Sequence, residues 1–169
     1  MDFQDKNWYF YLIYTKSLIN DENIYYIGIT INPENRYYDH MGSGHTSIIK
    51  NYTKGVLEFH VFPIKLNKMR RQYAEILETL LTCIIKYNYP NLKIYGGVYN
   101  RIDCVITEEK ILEKFKDVYN NKYDINFYKH YNDFTNTILN KNIIIGNNTL
   151  NLIMPTQTDI YGDVIMWDS

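Results

Sequence analysis

Between Tyr11 and Glu78 lie side chains whose types and spacing suit work on a phosphate ester. Arg36 and His40 are four residues apart, so a helix running through them presents a guanidinium and an imidazole on one face. The planar fork of an arginine matches phosphate oxygens. Glu75 and Glu78, three apart, fall among Ile76, Leu77, Leu80, Leu81, Ile84 and Ile85, which recur at helical spacing. A carboxylate in such company is costly to bury unless it is paired, protonated or bound to a cation, which makes it a candidate metal ligand. Each residue also has a duller reading. Tyr11 and Tyr26 suit a core as strand tyrosines with satisfied hydroxyls, Arg36 and His40 suit a solvated helix face, and either glutamate suits the polar edge of an amphipathic helix. Only the joint spacing argues for chemistry.

The elements that must position these groups follow from local pattern. Trp8 to Thr15 (WYFYLIYT) and Ile24 to Thr30 (IYYIGIT) are aromatic and branched runs separated by the polar cluster Asn20 to Asn23, which predicts an antiparallel hairpin with a long loop. Gly28 weakens the second strand unless something approaches its backbone closely. Thr30 or Asn32 can cap a helix with Pro33 in its first turn, running to about Met41. Val56 to Lys65 reads as a third strand, with Pro63 implying an edge or a bulge. Asn67 can cap a long helix from Lys68 to about Tyr87, and Asn88 to Arg101, broken by Pro90 and by Gly96-Gly97, reads as an ordered loop. Helices are expected from Thr107 to about Tyr119 and from Asn126 to Leu139. Strands Asn142–Ile145 and Thr149–Met154 are expected around a Gly146-Asn147-Asn148 turn.

A chain of 169 residues has room for one ordinary domain with an appendage. Its net charge of −1 runs against the lysine and arginine surplus usual for nucleic-acid proteins, but the distribution is uneven. From Asn32 to Tyr73, Arg36, Lys50, Lys54, Lys65, Lys68, Arg70 and Arg71 face only Glu34, Asp39 and Glu58, and beyond Cys104 the balance turns acidic. That asymmetry fits one face meeting a polyanion. Cys83 and Cys104 form no CxxC pair, so neither a disulfide framework nor a zinc site is expected. No secretion signal and no apolar run of about 18 residues is evident, so the expectation is a soluble, intracellular protein with no membrane partner. The 18 tyrosines, with abundant Asn, Ile and Lys, are what AT-rich coding produces and carry little weight.

The polar residues hung on the order strand, strand, helix, strand, helix resemble the GIY-YIG nucleases. Tyr9-Phe10-Tyr11 stands in the place of the first motif, followed by Leu12-Ile13, and Tyr26-Ile27-Gly28 is the second motif intact. Arg36 follows eight residues after Gly28 and His40 four after that. Ala74-Glu75-Ile76-Leu77-Glu78 fits the Ala-x-x-apolar-Glu of the family's later helix, which favours Glu78 over Glu75. The likeness spans about Trp8 to Asn100 and departs in two places: Tyr9 replaces the first glycine, and the hairpin loop is longer.

The resemblance implies an α/β (α+β) fold, a three-stranded antiparallel sheet flanked by helices over residues 1–100. The remainder, 101–169, is expected as a helical and hairpin extension packed on the same domain. It also implies a divalent-metal-dependent endonuclease that hydrolyses DNA phosphodiester bonds; the alternative is an inactive nucleic-acid-binding module of the same fold. Such hydrolysis needs an activated water, a cation facing the developing charge and a proton acceptor within reach. By resemblance, Glu78 holds one Mg²⁺ or Mn²⁺, Arg36 grips the scissile phosphate and Tyr11 is the general base. Tyr26 orients water or phosphate, and His40 assists Tyr11 or contacts the phosphate. His45, Lys50, Lys54, Arg70 and Arg71 are candidate DNA contacts. One such site cuts one strand, so cutting both takes a homodimer or two successive nicks. Gly42 to Ser47 lacks the Gly-Lys-Ser/Thr of a phosphate loop, and His60 and His130 read as structural.

Overall fold

A computed structural model describes residues 4–16, 23–43, 54–96, 125–146 and 148–155. Strands β1 (Tyr9–Lys16) and β2 (Asn23–Thr30) pair antiparallel from Tyr9 opposite Thr30 to Lys16 opposite Asn23. Strand β3 (Lys54–Val61) lies antiparallel on the other edge of β1, with an irregularity in register between Tyr14 and Lys16. Helix α1 (Pro33–Ser43) starts as the residue types dictate. The Asn32 Oδ1 accepts the Asn35 N–H at 3.1 Å, and Thr30 Oγ1 accepts the Asn32 N–H at 3.1 Å, so both predicted capping residues take part.

Helix α2 (Arg71–Asn88) supplies the largest share of the core of any element, from Tyr73 through Ile85, and β4 (Lys93–Gly96) follows it. Pleating sends alternate residues of β1 and β2 to opposite faces. Phe10, Leu12 and Ile27 join the α2 core, while Tyr11 and Ile13 form a separate small cluster with Tyr26 and Phe59. Helix α3 (Ile125–Ile138) and the hairpin β5 (Asn142–Ile145) and β6 (Asn148–Asn151) pack into the first of these cores through Phe127, Phe134, Ile138, Ile143, Ile145 and Leu152. Phe134 meets Phe10 with ring centres 5.5 Å apart. The end of α2 is tied to the hairpin strand and its exit: Asn88 bonds both the carbonyl and the N–H of Ile153, and the Tyr89 hydroxyl accepts the Asn151 N–H.

The structure corrects the expected sheet. Among the described residues it has four strands in the order β3-β1-β2-β4, and β4 pairs parallel with β2, Ile24 opposite Lys93 through Ile27 opposite Gly96. The segment expected as loop therefore contains a strand, closed by the crossover through α1, β3 and α2, with Ile94 buried as its anchor. Three boundaries also move. β3 ends at Val61, so Pro63 falls outside it. Met69 exchanges backbone hydrogen bonds with Lys6, which holds it extended, so α2 starts at Arg71 behind Arg70 and without a side-chain cap. The last hairpin pairs Ile145 with Asn148, which shortens the expected three-residue turn to two, and Gly146 takes φ +60°, a left-handed conformation that suits glycine. The helix expected from Thr107 lies outside the described residues.

Candidate active site

Tyr11 sits directly opposite Gly28 on the paired strands, and its phenol lies across that glycine. A β-carbon at Gly28 would overlap the Tyr11 ring and hydroxyl. This is the close approach that a glycine in mid-strand anticipates. The ring is 1% exposed and stacks on Phe59 at 4.8 Å with an interplanar angle of 19°. Tyr26, two residues before Gly28 on the same face, holds its ring 6.4 Å from that of Tyr11. Tyr9 fits where the motif has glycine because its side chain is 40% exposed, and its strand pairs regularly with Thr30.

Arg36 reaches this aromatic face from α1. Its Nε donates a hydrogen bond to the Tyr11 hydroxyl at 3.1 Å. The capped first turn fixes the helix start, and the Arg36 N–H bonds the Asn32 carbonyl at 3.1 Å, which sets the direction in which its side chain leaves. Burial works against the guanidinium charge, but the neighbouring Tyr11, Tyr26 and Asp39 outweigh it and raise the Arg36 pKa further. Burial also raises the Tyr11 pKa, opposed by the hydrogen bond and charge of Arg36 and reinforced by Glu78. Tyr26 is pushed up in the same way by burial, with Tyr11 and Glu78 adding to it.

Glu78 is the third party in this electrostatic group. It is 3% exposed in the middle of α2, and burial, with Glu75 adding, pushes its carboxyl up to about 8 against the pull of Arg71 and Arg36. The neighbouring charges that act on it are Glu75, Arg71 and Arg36. Glu75 differs. It accepts from Arg71 Nε at 2.9 Å in an i,i+4 ion pair near the helix start. The structure thus separates two glutamates that sequence alone leaves three residues apart: one is neutralised by a local cation, and the other is buried beside Arg36 and two phenols. Among the described residues no three imidazole, thiol or carboxylate groups converge. A cation beside Glu78 would rest on that one carboxylate and on solvent or substrate oxygens, a donor set that Mg²⁺ accepts because it keeps several waters.

Of the remaining candidates, His40 lies one turn beyond Arg36 in α1 and Lys54 opens β3, but their side chains, like His45 and Lys50 entirely, lie outside the described residues. Arg70 and Arg71 are not gathered with the phenols. The Arg70 guanidinium lies 4.6 Å from the Tyr73 ring centre, and Arg71 pairs with Glu75 and lies 6.0 Å from the Trp8 ring. Phe59 was not singled out from sequence, yet it backs the Tyr11 ring and also meets Tyr37 at 5.7 Å. His60 sits 4.0 Å from Glu58 and against Gly146, away from this group.

The arrangement can hold an anion against Arg36, hold an oxygen-seeking cation against Glu78, and offer a phenol oxygen between them. A family model described as the GIY-YIG catalytic domain matches residues 7–124. No curated protein and no solved structure matches.

Proposed function

We propose, starting from the fact that this chain belongs to the GIY-YIG catalytic-domain family, that it is a divalent-metal-dependent endonuclease hydrolysing DNA phosphodiester bonds. The observation that carries this reading is the Arg36 to Tyr11 hydrogen bond with the buried Glu78 in the same electrostatic group. Glu78 is the residue to hold Mg²⁺ or Mn²⁺, and the bound ion supplies Lewis-acid stabilisation of the charge that develops on the phosphate.

Arg36 takes the non-bridging phosphate oxygens with the donors of its fork that Tyr11 leaves free, and so aligns the phosphorus with the incoming water. Tyr11 first gives its own hydroxyl proton to His40 and then, as the phenolate, receives the proton of that water. Even with Arg36 at its oxygen the buried phenol holds its proton more tightly than a free one, so a cation held by Glu78 would have to assist Arg36 in making it a base at neutral pH. Tyr26 flanks the same oxygen and orients the water. Gly28 gives the Tyr11 ring the space to stand at this point, and Phe59 holds it there.

Supercoiled plasmid incubated with Mg²⁺ or Mn²⁺ tests the proposal: the native protein nicks it, and Glu78→Ala lowers the rate by on the order of 10²-fold or more. Equal nicking by both proteins removes Glu78 from its role. Salt-sensitive DNA binding without nicking by either protein selects the binding-module reading instead.

A further inference from the structure

On the sheet face turned away from Tyr11, to which Leu12 and Tyr14 point by alternation, two adjoining cavities lie against the C-terminal hairpin. Leu12, Tyr25 and Asn148 line both, so the two form one site with an inner chamber and a mouth. The chamber, about 150 Å³, is walled largely by Ile85, Leu92, Ile94, Ile145 and Leu150. An apolar cavity of about that size holds one benzene-sized ring. Left empty it costs stability, because its lining atoms lack partners on one side. Tyr11, Arg36 and Glu78 line neither cavity. Strands β5 and β6, which supply Ile145, Asn148 and Leu150, lie beyond residue 124, where the family match ends.

The mouth, about 230 Å³, is built differently. Tyr14 stands opposite Tyr25 of β2, with ring centres 5.2 Å apart, and opposite Glu58 of β3. Tyr14 gives its hydroxyl proton to Asn23 Oδ1 at 2.9 Å, which leaves its own oxygen as an acceptor. Burial, with Tyr14 and Glu58 adding, raises the Tyr25 pKa, so that phenol stays neutral. His60 Nε2 lies 4.0 Å from Glu58 Oε1, beyond hydrogen-bond reach, while the turn at Gly146 lies against the imidazole. With His60 neutral, the half-exposed carboxylate of Glu58 is the one charge among the described lining residues. A carboxylate, an accepting hydroxyl and two aromatic faces together suit an ammonium group, which brings three N–H donors and a positive charge. A carboxylate ligand meets repulsion there instead.

We infer that these cavities form a binding site for a small arylalkylamine, its ring in the apolar chamber and its ammonium group on Glu58 at the mouth, with the C-terminal hairpin as one wall. The ligand bridges the sheet and the hairpin, and the inference does not depend on the nuclease reading.

Three probes separate the parts of the site: 2-phenylethylamine carries ring and cation, 3-phenylpropionate the ring with an anion, and n-butylamine the cation without a ring. Binding to the full chain at neutral pH is followed by calorimetry and by methyl NMR shifts, with the native protein, Glu58→Gln, and Leu150→Trp, which fills the chamber. Urea midpoints confirm that each variant folds; if Leu150→Trp does not, Leu92→Trp, from a second half-buried wall position, takes its place. Phenylethylamine should bind the native chain about tenfold or more tighter than either other probe. Glu58→Gln should weaken it by about tenfold, and the chamber-filling variant should abolish it. No binding of phenylethylamine to the native chain at about 10 mM overturns the inference. So does phenylpropionate or butylamine binding as tightly, and so does an affinity for phenylethylamine that survives unchanged in Glu58→Gln or in the filled chamber.

Discussion

Gly28→Ala is the sharpest perturbation the site offers, because the new methyl group would occupy the position of the Tyr11 phenol. The ring has little freedom to yield, being 1% exposed and stacked on Phe59 at 4.8 Å. Forcing an extra carbon into such packing costs about 1–3 kcal/mol. The reduced freedom of the unfolded chain returns roughly 0.4–1 kcal/mol. A net destabilisation of about 1–2 kcal/mol is expected, measured by urea unfolding. The decisive comparison is a cycle with Tyr11→Ala. With the ring gone the methyl group has space, so Gly28→Ala in that background should be neutral or slightly stabilising, giving a coupling energy of about 1–3 kcal/mol. Nicking by Gly28→Ala alone should fall by on the order of 10²-fold, the usual consequence of a catalytic group displaced by about 1 Å. If Gly28→Ala costs the same with and without the Tyr11 ring, the phenol does not lie over that glycine and the reasoning fails.

Other expectations follow from the same geometry. Burial raises the Glu78 carboxyl from 4.5 to about 8, so the folded, metal-free chain keeps a proton that the unfolded chain has shed. In EDTA, stability should therefore fall as pH rises from about 5 to 8, by on the order of a few kcal/mol, and flatten above that. Urea midpoints across this range should show the slope in the native chain and its loss in Glu78→Gln; identical slopes would contradict it. Arg36→Lys retains the charge but loses the Nε donor to Tyr11, so single-turnover nicking should drop by about 10²-fold while the urea midpoint changes little. Native-like nicking in that variant would show that the fork is not needed. Phe134→Ala, which removes a ring packed on Phe10, should cost about 3–5 kcal/mol in a single unfolding transition. A separate early transition would show that α3 is not part of the shared core.

Much of this was legible because the governing interactions are local. The aromatic runs became β1 and β2, the Thr30, Asn32 and Pro33 signals became the start of α1, and the apolar spacing from Ile76 to Ile85 became the buried face of α2. Gly28 was readable as a close approach, though not that Tyr11 makes it. What was missed depends on distant partners. Lys93 to Gly96 is too short to carry a pattern of its own, and it becomes a strand only because β2 offers an edge. Met69 is held out of α2 by Lys6, more than sixty positions earlier. The motif already favoured Glu78 over Glu75, and the Arg71–Glu75 ion pair supplies the physical difference between them. Phe59 and the chamber against the hairpin arise from tertiary neighbours that no spacing announces.

The contact between Phe10 and Phe134 bears on when the fold of this protein can be completed. Ribosomes deliver the amino end first, at about 5–20 residues per second. Strand β1 thus emerges on the order of ten seconds before the ring that packs on its Phe10. Throughout that interval the Phe10 face of the strand has α2 to pack on but lacks α3. The core beneath the sheet is therefore completed only late in translation.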